Sequence, residues 1–391
     1  MLFGAACRRG GVQKQGVRPR TLRDVPAQRL AYRFEADAGA PAGEEAQDAQ
    51  LFEPLKNLFS EFRKDDALVR TVMSPDGQRV LALYETGEGK PGEFRIDMYS
   101  ADGKFLRNVT PPDLSGAFAA TAAWSPDGSL LTFAGRKSMK PQPTPAAPDL
   151  LPQGVSSPAP APSVAPAFGQ VQTFNTEQVY IGARDTFDLR PLTNREGLIY
   201  FNFSWAPDGH ALAALACKEG EWDAREKDYK MPAGRPRLIF LDGRERLLSD
   251  GLTEAAPVWS PDASKVATAF ESDVAIYDAL TDSPTGARIT LREPLVAASA
   301  AYDESKLRTK SKKSGEGGES QHPAPSSAPP VSFNPIVRLA WPRPETLYFK
   351  TAFVRTYPSD LVNNFQRWHV LHLSPQATLL SGKGTAVHSR G

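Results

Sequence analysis

Four aspartates occupy the same place in a repeated turn, and carboxylates are among the side chains that most often carry acid–base chemistry. They are Asp76, Asp127, Asp208 and Asp262. Paired acid–base chemistry needs two carboxyl groups within about 5–10 Å of each other. Each aspartate belongs to a separate repeat, so the four should lie too far apart. Because aspartate also bonds to nearby backbone amides in turns, these residues are predicted to form turns and not to catalyse.

Other residue types that support catalysis or metal binding are sparse. The sequence has no G-x-S-x-G nucleophile motif, no P-loop, no dinucleotide-binding glycine motif and no H-E-x-x-H motif. His369 and His372 are three apart in a predicted strand, so they should point to opposite faces as ordinary strand residues. Two cysteines, Cys7 and Cys217, cannot build a disulfide framework or a cysteine zinc site. We therefore predict no catalytic residue, no metal site and no cofactor.

The near-equal numbers of basic and acidic residues argue against two classes of partner, nucleic acid and anionic lipid. The 391 residues include 46 basic and 45 acidic side chains, so no net charge draws the protein to nucleic acid or to anionic lipid. No stretch approaches the roughly 18 apolar residues that a membrane-spanning helix requires. The sequence therefore predicts a protein that binds no nucleic acid and has no transmembrane segment.

The repeated turn lies inside a longer repeat that must position whatever site the protein has. Its copies begin TVMSPDG, AAWSPDG, FSWAPDG, PVWSPDA and RLAWPRP, and each is followed by a short apolar strand pattern. They recur about every fifty residues, with about thirty extra residues in alternate intervals. A period of this length built from short strands is typical of β-propeller blades.

The turn and the aromatic residue before it are predicted to be scaffold. Proline suits the second position of a turn, and glycine supplies the positive φ that leads into the next strand. A large apolar side chain at one repeated position is expected to pack between neighbouring blades. The residues assigned to this blade motif are Trp124, Pro126, Asp127, Gly128, Trp205, Asp208, Trp259, Asp262 and Trp341.

The predicted fold is all-β, a propeller of five to six four-stranded blades over residues 67–391. Two proline-rich or polar inserts, at about 140–170 and 303–331, are predicted to be disordered. Residues 1–48 are predicted to be a flexible basic tail, and the spacing of apolar residues predicts an amphipathic helix over 49–66. A sixth blade could be completed by LAYRFEA (30–36) together with the C-terminal ATLLSG.

These W-S-P-D-G repeats resemble the WD-repeat-like blades of TolB, the periplasmic protein of the Tol–Pal envelope system. They also resemble propeller domains that precede dipeptidyl-peptidase-type serine peptidases. The resemblance covers about residues 67–381 and implies a β-propeller in the periplasm or cell envelope of a bacterium. The chain differs from TolB in having five counted repeats instead of six and a shorter N-terminal segment. It differs from the peptidases in having no recognisable hydrolase domain.

The first ten residues, MLFGAACRRG, resemble the end of a bacterial lipoprotein signal, in which the cysteine carries the lipid. Cys7 is therefore a candidate lipidation site and a candidate lipid anchor. The pattern lacks a basic segment before the apolar run, and that run is shorter than a signal core. A start codon placed too late would produce the same pattern.

The order of the strands within each blade predicts which face of the propeller binds a partner. The S-P-D-G turns join the first and second strands of each blade on one face, whereas the longest insertions join the second and third strands on the other. Elaborated loops on a rigid scaffold commonly carry binding sites. The candidate partner-binding residues on this b–c face are Trp222, Arg225, Tyr229, Arg235, Arg355 and Tyr357. The structural alternative is that both rings of the 218–236 loop fold back and cap the blade.

The sequence thus favours a non-catalytic binding or scaffold module in a bacterial envelope, which binds a protein or an extracellular polymer. One alternative is an enzyme, a hydrolase or lyase, with its site in the central channel of the propeller. Polar residues that converge in the channel would support that alternative. A second alternative is a cytoplasmic scaffold. The sequence does not predict the oligomeric state.

Overall fold

The computed structural model describes residues 21–43, 51–87, 92–137, 176–186, 188–281, 284–313, 331–356 and 362–375. For 303–313, 331–333, 353–356 and 362–365 it describes the backbone only. The described strands form four hydrogen-bonded sheets, which contain five four-stranded antiparallel units. This arrangement is the β-propeller that the repeats predict.

The first strand of the chain and the first two blades are joined in chain order. The chain enters through β1 (Ala31–Ala38). Blade one contains β2 (Asp66–Met73), β3 (Arg79–Thr86), β4 (Glu93–Ser100) and β5 (Phe105–Asn108). A short strand, β6 (Leu114–Ala117), pairs with both β4 and the second strand of blade two. Blade two contains β7 (Ala123–Trp124), β8 (Leu130–Lys137), β9 (Gln178–Ala183) and β10 (Arg190–Pro191). Through β6 these two blades form one nine-stranded sheet.

The remaining three blades are separate sheets. Blade three contains β11 (Leu198–Trp205), β12 (Ala211–Lys218), β13 (Arg235–Phe240) and β14 (Glu245–Leu247). Blade four contains β15 (Val258–Trp259), β16 (Lys265–Phe270), β17 (Asp273–Asp278) and β18 (Gly286–Thr290). Blade five contains β19 (Val331–Phe333) and β20 (Ile336–Arg343), which pair one after the other with β21 (Thr346–Thr356) and together form one edge, and β22 (Val362–Ser374).

Blade five is completed by the N-terminal strand. β1 pairs antiparallel with β22, so that Tyr32 lies opposite Leu373 and Phe34 opposite Leu371. This differs from the flexible tail predicted for 1–48 and from the use of 30–36 in a sixth blade. The many basic residues of this segment predicted that it would be exposed to solvent. Its strand β1 instead pairs with a strand more than 300 positions away in the sequence, and local composition does not reveal such a partner.

The repeated turn is closed by its aspartate. In blade two, Asp127 Oδ1 accepts hydrogen bonds from Ser125 Oγ at 2.5 Å and from Ser129 N at 3.1 Å. Gly128 has φ +70°, which glycine adopts without strain, and its N–H donates to Ser125 O at 2.8 Å. The carboxylate is therefore used inside its own turn.

The tryptophan before the turn joins neighbouring blades. Trp124 Nε1 donates to Val72 O of blade one at 3.1 Å, and Trp259 Nε1 donates to Ser204 O of blade three at 3.2 Å. Both rings are buried. Apolar clusters fill each interface from blade one through blade five, and Leu81, Phe133, Ile239 and Phe349 are fully buried in them.

Three α-helices lie outside the sheets in the described part of the chain: α1 (Glu53–Phe62), α2 (Glu219–Lys227) and α3 (Arg292–Lys313). α1 lies inside the segment predicted to be an amphipathic helix, and its Leu55 and Phe59 pack on blade one. α3 extends into residues predicted to belong to a disordered insert beginning at 303. Short 3-10 helices cover Leu22–Asp24, Ala27–Arg29 and Ala119–Thr121.

A buried ion pair fixes the N-terminal segment on blade four. Lys265 Nζ lies 2.6 Å from Asp278 Oδ1 and donates to Val25 O at 2.8 Å. Asp278 also accepts from Ala27 N at 3.0 Å and from Thr285 Oγ1 at 2.6 Å. Lys265 and Asp278 are 1% and 2% exposed. This contact holds the segment that leads directly into β1.

Candidate functional site

A cavity of about 590 Å³ opens on the face where the b–c connections emerge. Blades one, two and three each contribute to it. Blade one supplies the end of β3 and the start of β4, blade two the end of β8 and the residues before β9, and blade three α2. The cavity thus lies on the face that the sequence identified as elaborated.

The lining of this acidic cavity is strongly negative. Its carboxylates are Glu85, Glu93, Glu177, Glu219, Asp223 and Glu226. Arg136 is the one basic residue that lines it among the residues that the structure describes. A concave surface with one sign of charge focuses the electric field and attracts ligands of the opposite sign.

Arg136 joins two of the carboxylates at the base of the cavity. Its Nη2 lies 2.7 Å from Glu93 Oε1, and its Nη1 lies 3.6 Å from Glu177 Oε1. Burial raises the pKa of Glu177, and Arg136 opposes the rise. The carboxylates Glu219 and Glu93 raise this pKa further. One arginine therefore does not balance the negative charge around it.

Helix α2 forms one wall. Glu219, Trp222, Asp223 and Glu226 recur at helical spacing and all line the cavity. The first turn is stabilised by Glu221, whose Oε2 accepts from Lys218 N at 3.0 Å, and acidic residues near a helix N-terminus also suit the helix dipole. The chain therefore presents a row of carboxylates on a rigid element.

Aromatic packing holds α2 in place. The Trp222 ring lies 5.1 Å from the ring of Phe118 and 5.3 Å from that of Phe201, measured between centroids. Trp222 therefore folds back onto blade three, as the structural alternative supposed, while still lining the cavity. Phe118 has φ +57°, which places its ring under α2.

Two of the predicted partner-binding arginines are engaged within the protein. Arg235 forms a two-pronged ion pair with Glu221, with N–O distances of 2.7 and 2.8 Å. Hydrogen bonds from Arg235 lower the pKa of Glu221 to about 2. Arg225 Nε donates to Met231 O at 2.6 Å, and its guanidinium pairs with Glu254. These residues brace α2 and the loop after it.

Tyr229 is the predicted residue that is most available to a partner. Its side chain is 99% exposed, and Met231 beside it is 69% exposed. Tyr229 also has φ +54°, an uncommon conformation for a residue with a β-carbon. Tyr357 and the side chain of Arg355, the other two predicted positions, lie outside the described residues. Cys7 does too.

Sequence interpretation missed the acidic residues of the cavity. Glu93 begins the third strand of blade one, Glu177 directly precedes the third strand of blade two, and Arg136 is the next-to-last residue of the second strand of blade two. No motif links them. Arg136 and Glu177 come together where β8 pairs with β9 across a long insertion, and Glu93 joins them only because blade one adjoins blade two. The common signal was their position at strand ends on the elaborated face. No group of three metal-binding side chains is found within the described ranges, nor any helix there that is long and apolar enough to cross a membrane.

Known proteins resemble this chain only distantly. No family profile and no curated protein sequence matches it. Among solved structures, oligogalacturonate lyase in complex with manganese gives a TM-score of 0.40 at 11% identity, covering 88% of this chain and 72% of that chain. Prolyl oligopeptidase B from Galerina marginata gives 0.43 at 10% identity, covering 89% and 43%. Porphyromonas gingivalis dipeptidyl peptidase 4 gives 0.36 at 9%, covering 88% and 52%. Values this low support no inference about activity.

Proposed function

We propose that this β-propeller is a non-catalytic binding module that recognises a positively charged segment of a partner protein in the acidic cavity. The observation that carries the proposal is the set of six carboxylates around a space of about 590 Å³, opposed by Arg136 alone among the described lining residues. A lysine or arginine side chain of the partner that enters the cavity would neutralise part of the excess negative charge of its lining. Charge-assisted hydrogen bonds to carboxylates are stronger than neutral ones.

The loop after α2 extends the proposed contact. Tyr229 and Met231 follow the C-terminus of α2 and are the most exposed apolar side chains of that loop. Tyrosine is enriched among residues that dominate binding energy, and methionine adapts to irregular surfaces. We therefore assign the charge recognition to the acidic cavity and an apolar anchor to this loop.

Binding of a fluorescent basic peptide tests the proposal. The probe is an arginine- and lysine-rich decapeptide, and its Kd is measured by fluorescence anisotropy with the full-length protein. The test variant carries Glu219→Gln, Asp223→Asn and Glu226→Gln. We expect it to weaken binding at least about tenfold, which corresponds to about 1.4 kcal/mol.

A matched control separates local from overall charge. Glu53→Gln, Glu61→Gln and Asp65→Asn change the net charge equally, at exposed positions in or next to α1 on blade one. The control should bind the peptide almost as the unaltered protein does, since none of these three residues lines the cavity. Equal loss in both variants would contradict a specific site, and so would equal affinity for an acidic decapeptide.

We also propose, from the resemblance of the repeats to TolB, that the module acts in a bacterial cell envelope. Cell fractionation combined with labelling for a lipid on Cys7 tests the location. A labelled envelope protein would support it. A soluble cytoplasmic protein would contradict it and favour the cytoplasmic scaffold.

A hydrolase or lyase remains the second candidate because of one residue. Glu177 combines a raised pKa with a position on a cavity wall, which is the usual setting of a general acid or base. Turnover of a peptide or polysaccharide that is lost in Glu177→Gln would support this function. Turnover that Glu177→Gln leaves unchanged would place any activity elsewhere.

A further inference from the structure

The acidic cavity contains an aromatic and aliphatic surface that the proposed function does not use. Phe94, Phe118 and Trp222 line it, together with the aliphatic side chains of Val69 and Ile199. Carboxylates alone would attract any cation, whereas aromatic rings favour particular ones. The rings therefore bear on which cation the cavity prefers, and an inference about that preference rests on the proposed function.

Trp222 is held in one orientation at the wall of the cavity. The plane of its ring lies at 46° to that of Phe118 and at 76° to that of Phe201, so the second contact is close to edge-on. Both contacts belong to the cluster that contains Ile199, which is 5% exposed. These contacts leave Trp222 half-buried, and it still lines the cavity. The accessible part of the indole therefore has little freedom to turn away.

Helix α2 places carboxylates on both sides of this indole. Glu219 comes three residues before Trp222 and Glu226 four residues after it, so the three side chains share one side of the helix. Asp223 adjoins them and also lines the cavity. Among the residues that the structure describes, none of these three carboxylates forms an ion pair or a side-chain hydrogen bond. A cation that lies against the indole would therefore have unpaired negative charge on both sides.

A surface of this kind suits a cation that does not depend on hydrogen bonds. A lysine ammonium group carries three N–H donors and is strongly hydrated, so it loses hydration when it lies against a ring. A quaternary ammonium group has no N–H donor, and its methyl groups can contact aromatic and aliphatic side chains. The carboxylates still attract it, because the Coulomb interaction requires no hydrogen bond. The combination of rings and carboxylates therefore favours the methylated group.

We propose that the acidic cavity prefers a quaternary ammonium group to an unmodified lysine. The group is either the trimethylated lysine of a partner protein or part of a free choline-type molecule. Trp222 supplies the ring for a cation–π contact, and Phe118 and Val69 supply further apolar surface. The cavity volume of about 590 Å³ falls within the range of small-ligand pockets.

Three fluorescent decapeptides test this preference by anisotropy with the full-length protein. They are neutral and identical except at one central residue, which is lysine, trimethyllysine, or the same side chain ending in a neutral tert-butyl group. We expect trimethylation to strengthen binding at least about fivefold, because it adds contact with the rings. The tert-butyl peptide keeps the shape without the charge, so it should bind at least about tenfold more weakly than the trimethylated peptide.

Variants of the aromatic wall locate the effect. Trp222→Leu should remove the gain from trimethylation, and Trp222→Phe, which keeps an aromatic ring, should retain part of it. Phe62→Leu is the matched control, because it removes an aromatic side chain that is 79% exposed on α1 and does not line the cavity. The gain should be unchanged in this control. If Trp222→Leu does not fold, Trp222→Phe and the tert-butyl peptide decide.

A competition experiment identifies the source of the group. Displacement of the trimethylated peptide by tetramethylammonium chloride, but not by sodium chloride at the same ionic strength, would support a free quaternary ammonium compound. Displacement by neither salt would support the methylated side chain of a protein.

The outcomes separate this proposal from the proposed function. Binding of the arginine- and lysine-rich decapeptide with no gain from trimethylation would overturn the preference and leave the proposed function standing. A gain as large in Trp222→Leu as in Phe62→Leu would overturn it as well. No binding of any peptide, the arginine- and lysine-rich one included, would overturn both.

Discussion

The buried ion pair between Lys265 and Asp278 gives the sharpest prediction about the scaffold. Lys265→Met keeps a side chain of similar length but removes the charge that faces Asp278. The carboxylate then retains only neutral donors, from Ala27 N and from the backbone and hydroxyl of Thr285. Val25 O loses its lysine donor as well.

The expected cost follows from the burial of both partners. Removing one member of a buried ion pair leaves an uncompensated charge and typically costs about 3–5 kcal/mol. Burial alone would raise the pKa of Asp278, but hydrogen bonds from Lys265 and Thr285 outweigh it, and the net pKa is lowered. The carboxylate is thus charged at neutral pH in the unaltered protein. In Lys265→Met it must either stay buried without its ion-pair partner or take up a proton, and both cost folding free energy.

Urea unfolding at pH 7 measures the effect in Lys265→Met, in Asp278→Asn and in the double variant. We expect each single change to cost about 3–5 kcal/mol and the double change to cost clearly less than their sum, because the residues contact each other. Hydrogen exchange should show faster exchange at Ala27 and in β1. Single costs below about 1 kcal/mol, or additive costs, would refute the argument that this pair fixes the N-terminal segment.

Two further predictions concern the blades. Trp259→Phe removes a paired indole N–H, whereas Trp205→Phe removes an Nε1 that has no partner, so the first should cost about 1 kcal/mol more in urea titration; equal costs would argue against the inter-blade bond. Burial lowers the pKa of His369 to about 4, below its unfolded value of about 6.5. The unfolded state therefore binds more protons between these values, and stability should fall by about 3 kcal/mol as the pH drops from 6.5 to 4. His369→Leu should flatten this dependence, and an unchanged pH profile would show that another group causes it.

The repeated turn motif was sufficient to predict most of the fold. Ser-Pro-Asp-Gly and its preceding tryptophan are local features, and the hydrogen bonds of Asp127 to the serine and to the backbone amide recur at Asp76 and Asp262. α2 was not predicted because EGEWDAREK has charges on every side and only one large apolar residue to form a stripe. Its position depends on the packing of Trp222 against Phe118 from another blade.

The sequence predicted the face of the propeller on which the candidate site lies, but not the set of charged residues that form it. The long b–c connections indicated where to look, and Tyr229 is exposed there. Arg136 meets Glu177 through the pairing of β8 with β9 across a long insertion, and Glu93 reaches Arg136 only where blade one adjoins blade two, a contact that no sequence interval encodes. Prediction therefore succeeded where hydrogen bonds are local and failed where charges meet across an interface.

The pairing of β1 with β22 has a consequence for the solution behaviour of shortened proteins. β22 is 13 residues long, and without β1 it would present unpaired backbone groups along one side. Long edge strands of this kind pair with other chains and promote aggregation. β1 thus protects the propeller from edge-to-edge association, and a protein that begins after Ala38 would lose solubility even if the other four blades still fold.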